Sequence, residues 1–231
     1  MVNFTHMTID QSILSLFQLT DSFFPTGSFA HSFGLETYIQ KGTITDQEHL
    51  ESFLQAILHF GIQHGDAAAV TIAHRSNTID QIIQLDQHLS AIKQPAEMRK
   101  GSVQIGKQFL QNANKIMDNN SARDYHDAIQ LGTCSGHHSV AYGLITAEIE
   151  LHLALLGYLH SYLVNQVSAA VRLIPLGATD GQKTIRSLQP YLLKIVGLVK
   201  NAEIGDLGGF TPALDIQSMQ HEQLFHRLFI S

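Results

Sequence analysis

From Leu151 to Val171 the chain reads LHLALLGYLHSYLVNQVSAAV, with no Asp, Glu, Lys or Arg. A run of about 20 predominantly apolar residues is long enough to cross a bilayer. The polar residues inside it argue otherwise. His152, His160, Ser161, Asn165, Gln166 and Ser168 are spread around the whole circumference of a helix. Glu148 and Glu150 on one side and Arg172 on the other give no charge asymmetry of the kind that orients a membrane span. A helix apolar on nearly every side also suits the centre of a globular helical protein. The stretch is therefore read as a buried central helix, and no membrane partner is expected.

Working outward from it, apolar residues recur at helical spacing almost everywhere. Ile9, Ile13, Leu16 and Phe17 mark a first helix. Thr45-Asp46-Gln47-Glu48 reads as a capping box, with Thr45 as cap and Glu48 reaching back, ahead of Leu50, Phe53, Leu54, Ile57 and Leu58. Another helix is expected near Asp66, opening on Ala67, Ala68 and Ala69. Asn77 can cap a helix with Ile79, Ile82, Leu85, Leu89 and Ile92 inward, and Pro95 fits the first turn of a helix carrying Met98, Ile105, Phe109, Ala113 and Ile116. Beyond the central helix, Thr179 or Asp180 opens a helix through Leu188, Leu192, Ile195 and Val199, which Pro190 is expected to divide or kink. No alternating strand pattern and no Asn-Gly hairpin signal occurs. The fold class is thus all-α: a single compact, bundle-like domain of roughly nine to eleven helices, with a partly flexible C-terminal tail. GDLGGFTP, residues 205–212, is the most linker-like stretch, so residues 1–204 read as core and 205–231 as linker and partner-binding segment.

The stretch from Leu16 to Glu36, LFQLTDSFFPTGSFAHSFGLE, concentrates unusual chemistry in one bend. Pro25 cannot continue a helix and biases Phe24 toward extended geometry. The spacing predicts that one helix ends near Thr20 and a second starts near Ser28, capped by its hydroxyl, with His31, Gly34 and Leu35 close to one face.

Composition narrows the function. Only 15% of residues are charged against 44% hydrophobic, which suggests extensive burial in a core or against other subunits. The net charge of −6 offers no basic footprint for nucleic acid. The single cysteine, Cys134, excludes a disulfide framework and fits a reducing, cytoplasmic setting. MVNFTHMTIDQS has no basic region followed by an apolar run, so no secretory signal is expected.

Gly101-Ser102-Val103-Gln104-Ile105-Gly106-Lys107-Gln108 matches a phosphate loop until its last position. A magnesium-binding hydroxyl is needed there, and Gln108 stands in its place. A helix with two small residues at a crossing point explains the stretch better. Fourteen histidines invite a metal reading, but their spacings fail. His221 and His226 are five apart, as are His59 and His64, and five residues turn two rings about 140° apart on a helix. His152 and His160 lie roughly 12 Å apart along a helix, too far to share one ion. Ser28, Ser32 and His31 lack an evident acidic orienter, and no G-x-S-x-G elbow occurs. Neither a catalytic residue, a cofactor-binding residue nor a metal ligand emerges.

Four separated stretches together resemble the urease accessory protein F (UreF) family. They are the corner, with Phe24-Pro25, Gly27, His31-Ser32 and Gly34-Leu35-Glu36; Glu97-x-Arg99 with Gly101-Ser102 and Gly106; AAVRLIPLG at 169–177 with Asp180-Gly181-Gln182; and Asp215-Ile216, His221-Glu222, Arg227-Leu228-Phe229 and Ser231. Ala178 departs from the Gln that usually follows Pro-Leu-Gly. The resemblance implies an all-α, homodimeric, non-enzymatic protein without a cofactor of its own. It also implies partners: urease accessory proteins D (also called H) and G, and apo-urease, to which nickel is delivered with GTP hydrolysis by the G protein. The expected partner-binding residues are Phe24, Pro25, His31, Ser32 and Glu36 of the corner, Gln182, and Arg227, Leu228 and Phe229 of the tail. The alternative is an independent metal- or nucleotide-dependent hydrolase.

Overall fold

The computed structural model describes residues 8–231, so the start of the stretch read for a secretory signal lies outside the described residues. Among the described residues eleven α-helices follow one another: α1 Ile9–Thr20, α2 Leu35–Gln40, α3 Gln47–Ile57, α4 Ala68–Arg75, α5 Ile79–Ile92, α6 Ala96–Ile116, α7 Asn120–Gln130, α8 His138–Ile145, α9 Leu151–Leu173, α10 Ala178–Val199 and α11 Pro212–His221. No strand occurs among the described residues. The 23-residue α9 is the central helix, touching α1, α2, α4 and α10. It buries Ala154, Leu155, Leu159, Leu163, Val167, Ala169 and Ala170, and no helix among the described residues is long and apolar enough to cross a membrane.

The small residues of the failed phosphate loop lie on α6 where other segments cross it. A Cβ on Gly106 would collide with the backbone of Gly136, His137 and His138 just ahead of α8. A Cβ on Gly101 would lie 3.0 Å from His31 Nδ1 and from the Phe33 ring. Glycine at both places allows α6 to approach backbone and ring this closely.

Several local expectations shift. Asp46 rather than Thr45 caps α3, accepting from His49 N at 2.9 Å, because its extended backbone places its own carboxylate over the first turn. α4 begins at Ala68, close to Asp66 as expected, but not as a separate start. The chain runs without a break from α3 through a ten-residue π-helical segment, Leu58–Ala67, into α4. Pro190 does not divide α10, which stays helical throughout. Pro190 is exposed, so the Arg186 carbonyl that loses its N–H partner can be met by water.

The corner departs most. Ser28 opens only a three-residue 3₁₀ turn, Ser28–Ala30, without a side-chain cap, and the next helix starts at Leu35. Phe33 (φ 50°) and Gly34 (φ 87°) both adopt left-handed backbone, which stops a helix from running through 31–34. The N–H groups of Ser32 and Phe33 are instead taken by the carbonyl of Ser231.

Candidate functional site: the seat of the tail

The corner starts where α1 ends. The Asp21 carboxylate accepts from Phe23 N at 2.7 Å and fixes the turn. This swings Phe24 inward onto Phe109, ring centroids 5.4 Å apart, and leaves Phe23 93% exposed. Pro25 is exposed, and its carbonyl accepts from Asn112 Nδ2 at 2.9 Å. Ser28 Oγ accepts from Asn165 of α9 at 3.1 Å, and Phe29 O accepts from Arg172 Nη2 at 3.0 Å. The bend is thereby held on the last turns of the central helix.

The tail returns to this bend. Pro212 opens α11 at its first position, where its missing N–H costs no helical bond. Leu214, Ser218 and His221 face inward, and Leu214 and Ser218 pack on Gly34. The last residues then run along the corner. Ile230 N donates to Ala30 O at 2.8 Å, Phe33 N and Ser32 Oγ donate to Ser231 O at 3.0 Å, and Ser231 Oγ lies 2.7 Å from His31 Nδ1. Phe229 is buried, with the Arg172 guanidinium 4.6 Å above its ring.

Glu36 is the centre of the junction. Only 1% exposed, its carboxylate accepts from Leu228 N at 2.8 Å and Phe229 N at 3.1 Å, and lies 3.0 Å from His221 Nε2. The other ring nitrogen of His221 is 2.6 Å from Glu97, and Glu97 also accepts from Arg227 at 2.8 Å. Each nitrogen of the His221 ring is thus placed to donate to a carboxylate. Burial by itself would raise the pKa of Glu36. The hydrogen bond from His221 and those from Leu228 and Phe229 outweigh it and hold the carboxyl below its ordinary value. Burial lowers the pKa of His31, so its ring is neutral at pH 7. Among the described residues no acidic side chain hydrogen-bonds His31, which is only 2% exposed, and the Ser/His cluster holds the tail.

Of the residues expected to meet partners, Phe24, His31, Ser32, Glu36 and Phe229 are buried, whereas Pro25, Arg227 and Leu228 are exposed. All of them except Gln182 belong to the corner and tail that meet here. Gln182 is exposed at the start of α10 and makes no hydrogen bond with them among the described residues. Glu97, Gly101, Arg172, His221 and Ser231 complete the junction and were not among those candidates. Their signal was present in the four stretches, but a sequence does not show that Glu97 and His221, 124 positions apart, meet. Among the described residues no three His, Cys, Asp or Glu side chains form a group that could hold a metal ion.

A sequence model of the UreF family matches residues 44–189, between the corner and the tail. Urease accessory protein UreF of Lachnoclostridium phytofermentans is 36% identical over 228 residues, covering 96% of this chain and 100% of the relative. That of a Nostoc species is 34% identical over 230 residues, covering 96% and 97%. That of a Bacillus species is 33% identical over 224 residues, covering 95% and 99%. With a match across more than half its length and relatives that align almost end to end, this chain belongs to the UreF family of urease accessory proteins.

Proposed function

We propose that this non-catalytic chain serves urease maturation as a cytoplasmic scaffold, presenting its seated tail and corner to urease accessory protein D/H. In this reading accessory proteins D/H and G assemble with it on apo-urease, the G protein hydrolyses GTP, and nickel is the cargo delivered. The observation that carries it is the contrast between the junction and its surroundings. The junction itself is closed by charge-assisted hydrogen bonds. The corner and tail around it leave Phe23, Phe29, Phe225, Leu228 and Ile230 exposed. Large apolar side chains grouped on a surface mark a binding face, and aromatic and arginine side chains tend to dominate interface energetics. Leu228 offers its side chain to the partner, while Arg227 and Phe229 fix the segment that carries it.

Deleting residues 213–231 is expected to abolish co-purification with accessory protein D/H. A complex that survives the deletion overturns this assignment. We further propose that the chain is a homodimer, and that Phe60, Tyr191 and Leu198, exposed on the π-helical segment and α10, lie on the apolar face that a second copy covers. Sedimentation velocity should give the mass of two chains, and Leu198→Arg should return it to one. A monomer at micromolar concentration counts against the dimer.

A further inference from the structure

Beneath the tail lies a cavity of about 130 Å³ with polar and apolar lining. Tyr158, Ser161, Tyr162, Asn165 and Gln166 line it from one side of α9. Their spacing of three, four, seven and eight residues makes a polar stripe down the central helix. Ile57, Ile62, Leu89, Met98 and Ile105 supply apolar lining elsewhere, and Ser102 among them is already bonded to His137. Asp66 and Lys93, paired at 2.6 Å and largely buried, also border it. Gly209, Thr211, Leu214 and Asp215 of the tail form part of the lining. The tail is fastened beside them by Gly208 N to His64 O at 3.0 Å and Phe210 N to Phe60 O at 3.2 Å.

Three features mark the cavity as more than a packing fault. The Gln166 side chain, 2% exposed, has a buried amide nitrogen without a hydrogen-bond partner among the described residues. Buried amides are normally paired, and an unpaired one destabilises the fold. The bordering π-helical segment is of a kind that is rare and frequent at functional sites, and its residues Gly61, Ile62, Gly65 and Asp66 line the space. Phe33 borders the cavity while its backbone occupies the left-handed region, a strained state for a bulky residue that must be held by its surroundings.

The charges define the class of ligand. Asp66 and Lys93 neutralise each other, Asp215 at the tail edge lies 3.5 Å from the Thr211 hydroxyl and disfavours an anion, and burial pushes the neighbouring His138 imidazole down to about 4, leaving it uncharged at pH 7. Burial raises the Tyr158 and Tyr162 hydroxyls, so both keep their protons. The volume holds about ten water-sized spheres. We propose that this cavity binds a small uncharged molecule with one hydrogen-bonding edge, set against α9, and one apolar face, and that its occupancy keeps the tail docked. A ligand held beneath the tail loses part of its site when the tail lifts. Bound ligand therefore favours the docked state by the factor 1 + [L]/Kd.

The inference rests on the docked tail and not on the partner proposed above, so its test uses the full-length chain alone. Phenol is the probe, and toluene, of equal size without the hydroxyl, is its control. Phenol should saturate a single site by NMR titration, and toluene should bind about tenfold more weakly, the usual effect of one net hydrogen bond. Gln166→Leu should weaken phenol by a similar factor, with its melting curve recorded to show that the variant is folded. At ten times the Kd of phenol, hydrogen exchange at the Leu228, Phe229 and Ile230 amides should slow about tenfold. Non-saturable phenol binding, or toluene binding as tightly as phenol, overturns the site. Unchanged exchange at these amides with phenol saturated overturns the coupling to the tail.

Discussion

Replacing Glu36 with Ala is expected to release residues 222–231 from the body while α1 to α10 stay folded. The wild-type carboxylate serves Leu228 N, Phe229 N, the Gln40 amide and His221 at once, out of contact with water. Removing one partner of a buried, charged network costs about 3–5 kcal/mol. At about 1.4 kcal/mol per tenfold, exchange of the Leu228 and Phe229 amides should accelerate by about 10²- to 4 × 10³-fold. Glu36→Gln keeps one carbonyl oxygen for a backbone donor but turns an amide NH₂ toward His221, so its effect should be smaller and of the same sign. Wild-type exchange rates in Glu36→Ala would rule out the carboxylate as the main fastening. The same group sets an acid limit. The carboxyl titrates below its ordinary 4.5 when the tail is docked, so its contribution is fully present above 4.5 and is lost as the pH falls through the depressed value. The facing groups are His221, Glu97 and Arg227. The Glu36 contribution to tail protection should therefore fall below pH 4.5, and Glu36→Gln should reduce that fall.

What could be read in the sequence was local. Periodic Leu50, Leu54 and Ile57, or Ile105, Phe109 and Ala113, fix which helix face turns inward, because burial of a stripe at 3.6-residue spacing leaves no other arrangement. The polar residues of 151–171 likewise argued for a central helix, and several of them now line a cavity. What failed was decided by partners far away in the chain. Ser28 begins like a helix cap, but the backbone donors of Ser32 and Phe33 are claimed by Ser231, about 200 positions later. The π-helical segment left no trace, because His59, Phe60, Gln63 and His64 fit an ordinary helix equally well. In the candidate site His31, Ser32 and Glu36 were distinctive by type, and their neighbours Glu97, Arg172 and His221 stood in stretches that pointed to the family. Their convergence is a property of the tertiary fold and of nothing shorter.

A second buried carboxylate should have the larger effect on the whole fold. Asp86 of α5 is fully buried and accepts from Ser135 N at 2.5 Å, Gly136 N at 3.0 Å, His137 N at 3.1 Å and the Tyr125 hydroxyl at 2.5 Å. Three successive N–H groups converge because Gly136, at φ 101°, turns the chain between its neighbours. The loop so held carries His137, whose ring lies 2.9 Å from Ser90 of α5 and 3.0 Å from Ser102 of α6. It thereby joins α5, α6 and α8. Asp86→Ala strands three buried donors and the half-buried Ser135 N–H, at about 1 kcal/mol each at the low end, against a typical total stability of about 5–15 kcal/mol. A loss of about 4–5 kcal/mol should lower the melting temperature by about 10–20 °C for a chain of this size. The sole cysteine supplies an independent readout. Burial, and then the nearby Asp86 charge, push the Cys134 thiol up to about 12, so the wild-type protein should resist a thiol reagent at neutral pH. In Asp86→Ala the loop opens and Cys134 should be labelled at a rate close to that of unfolded chain. Slow labelling together with a fall of less than about 3 °C would mean that the three amides find other acceptors, and that the loop is held by the His137 ring instead.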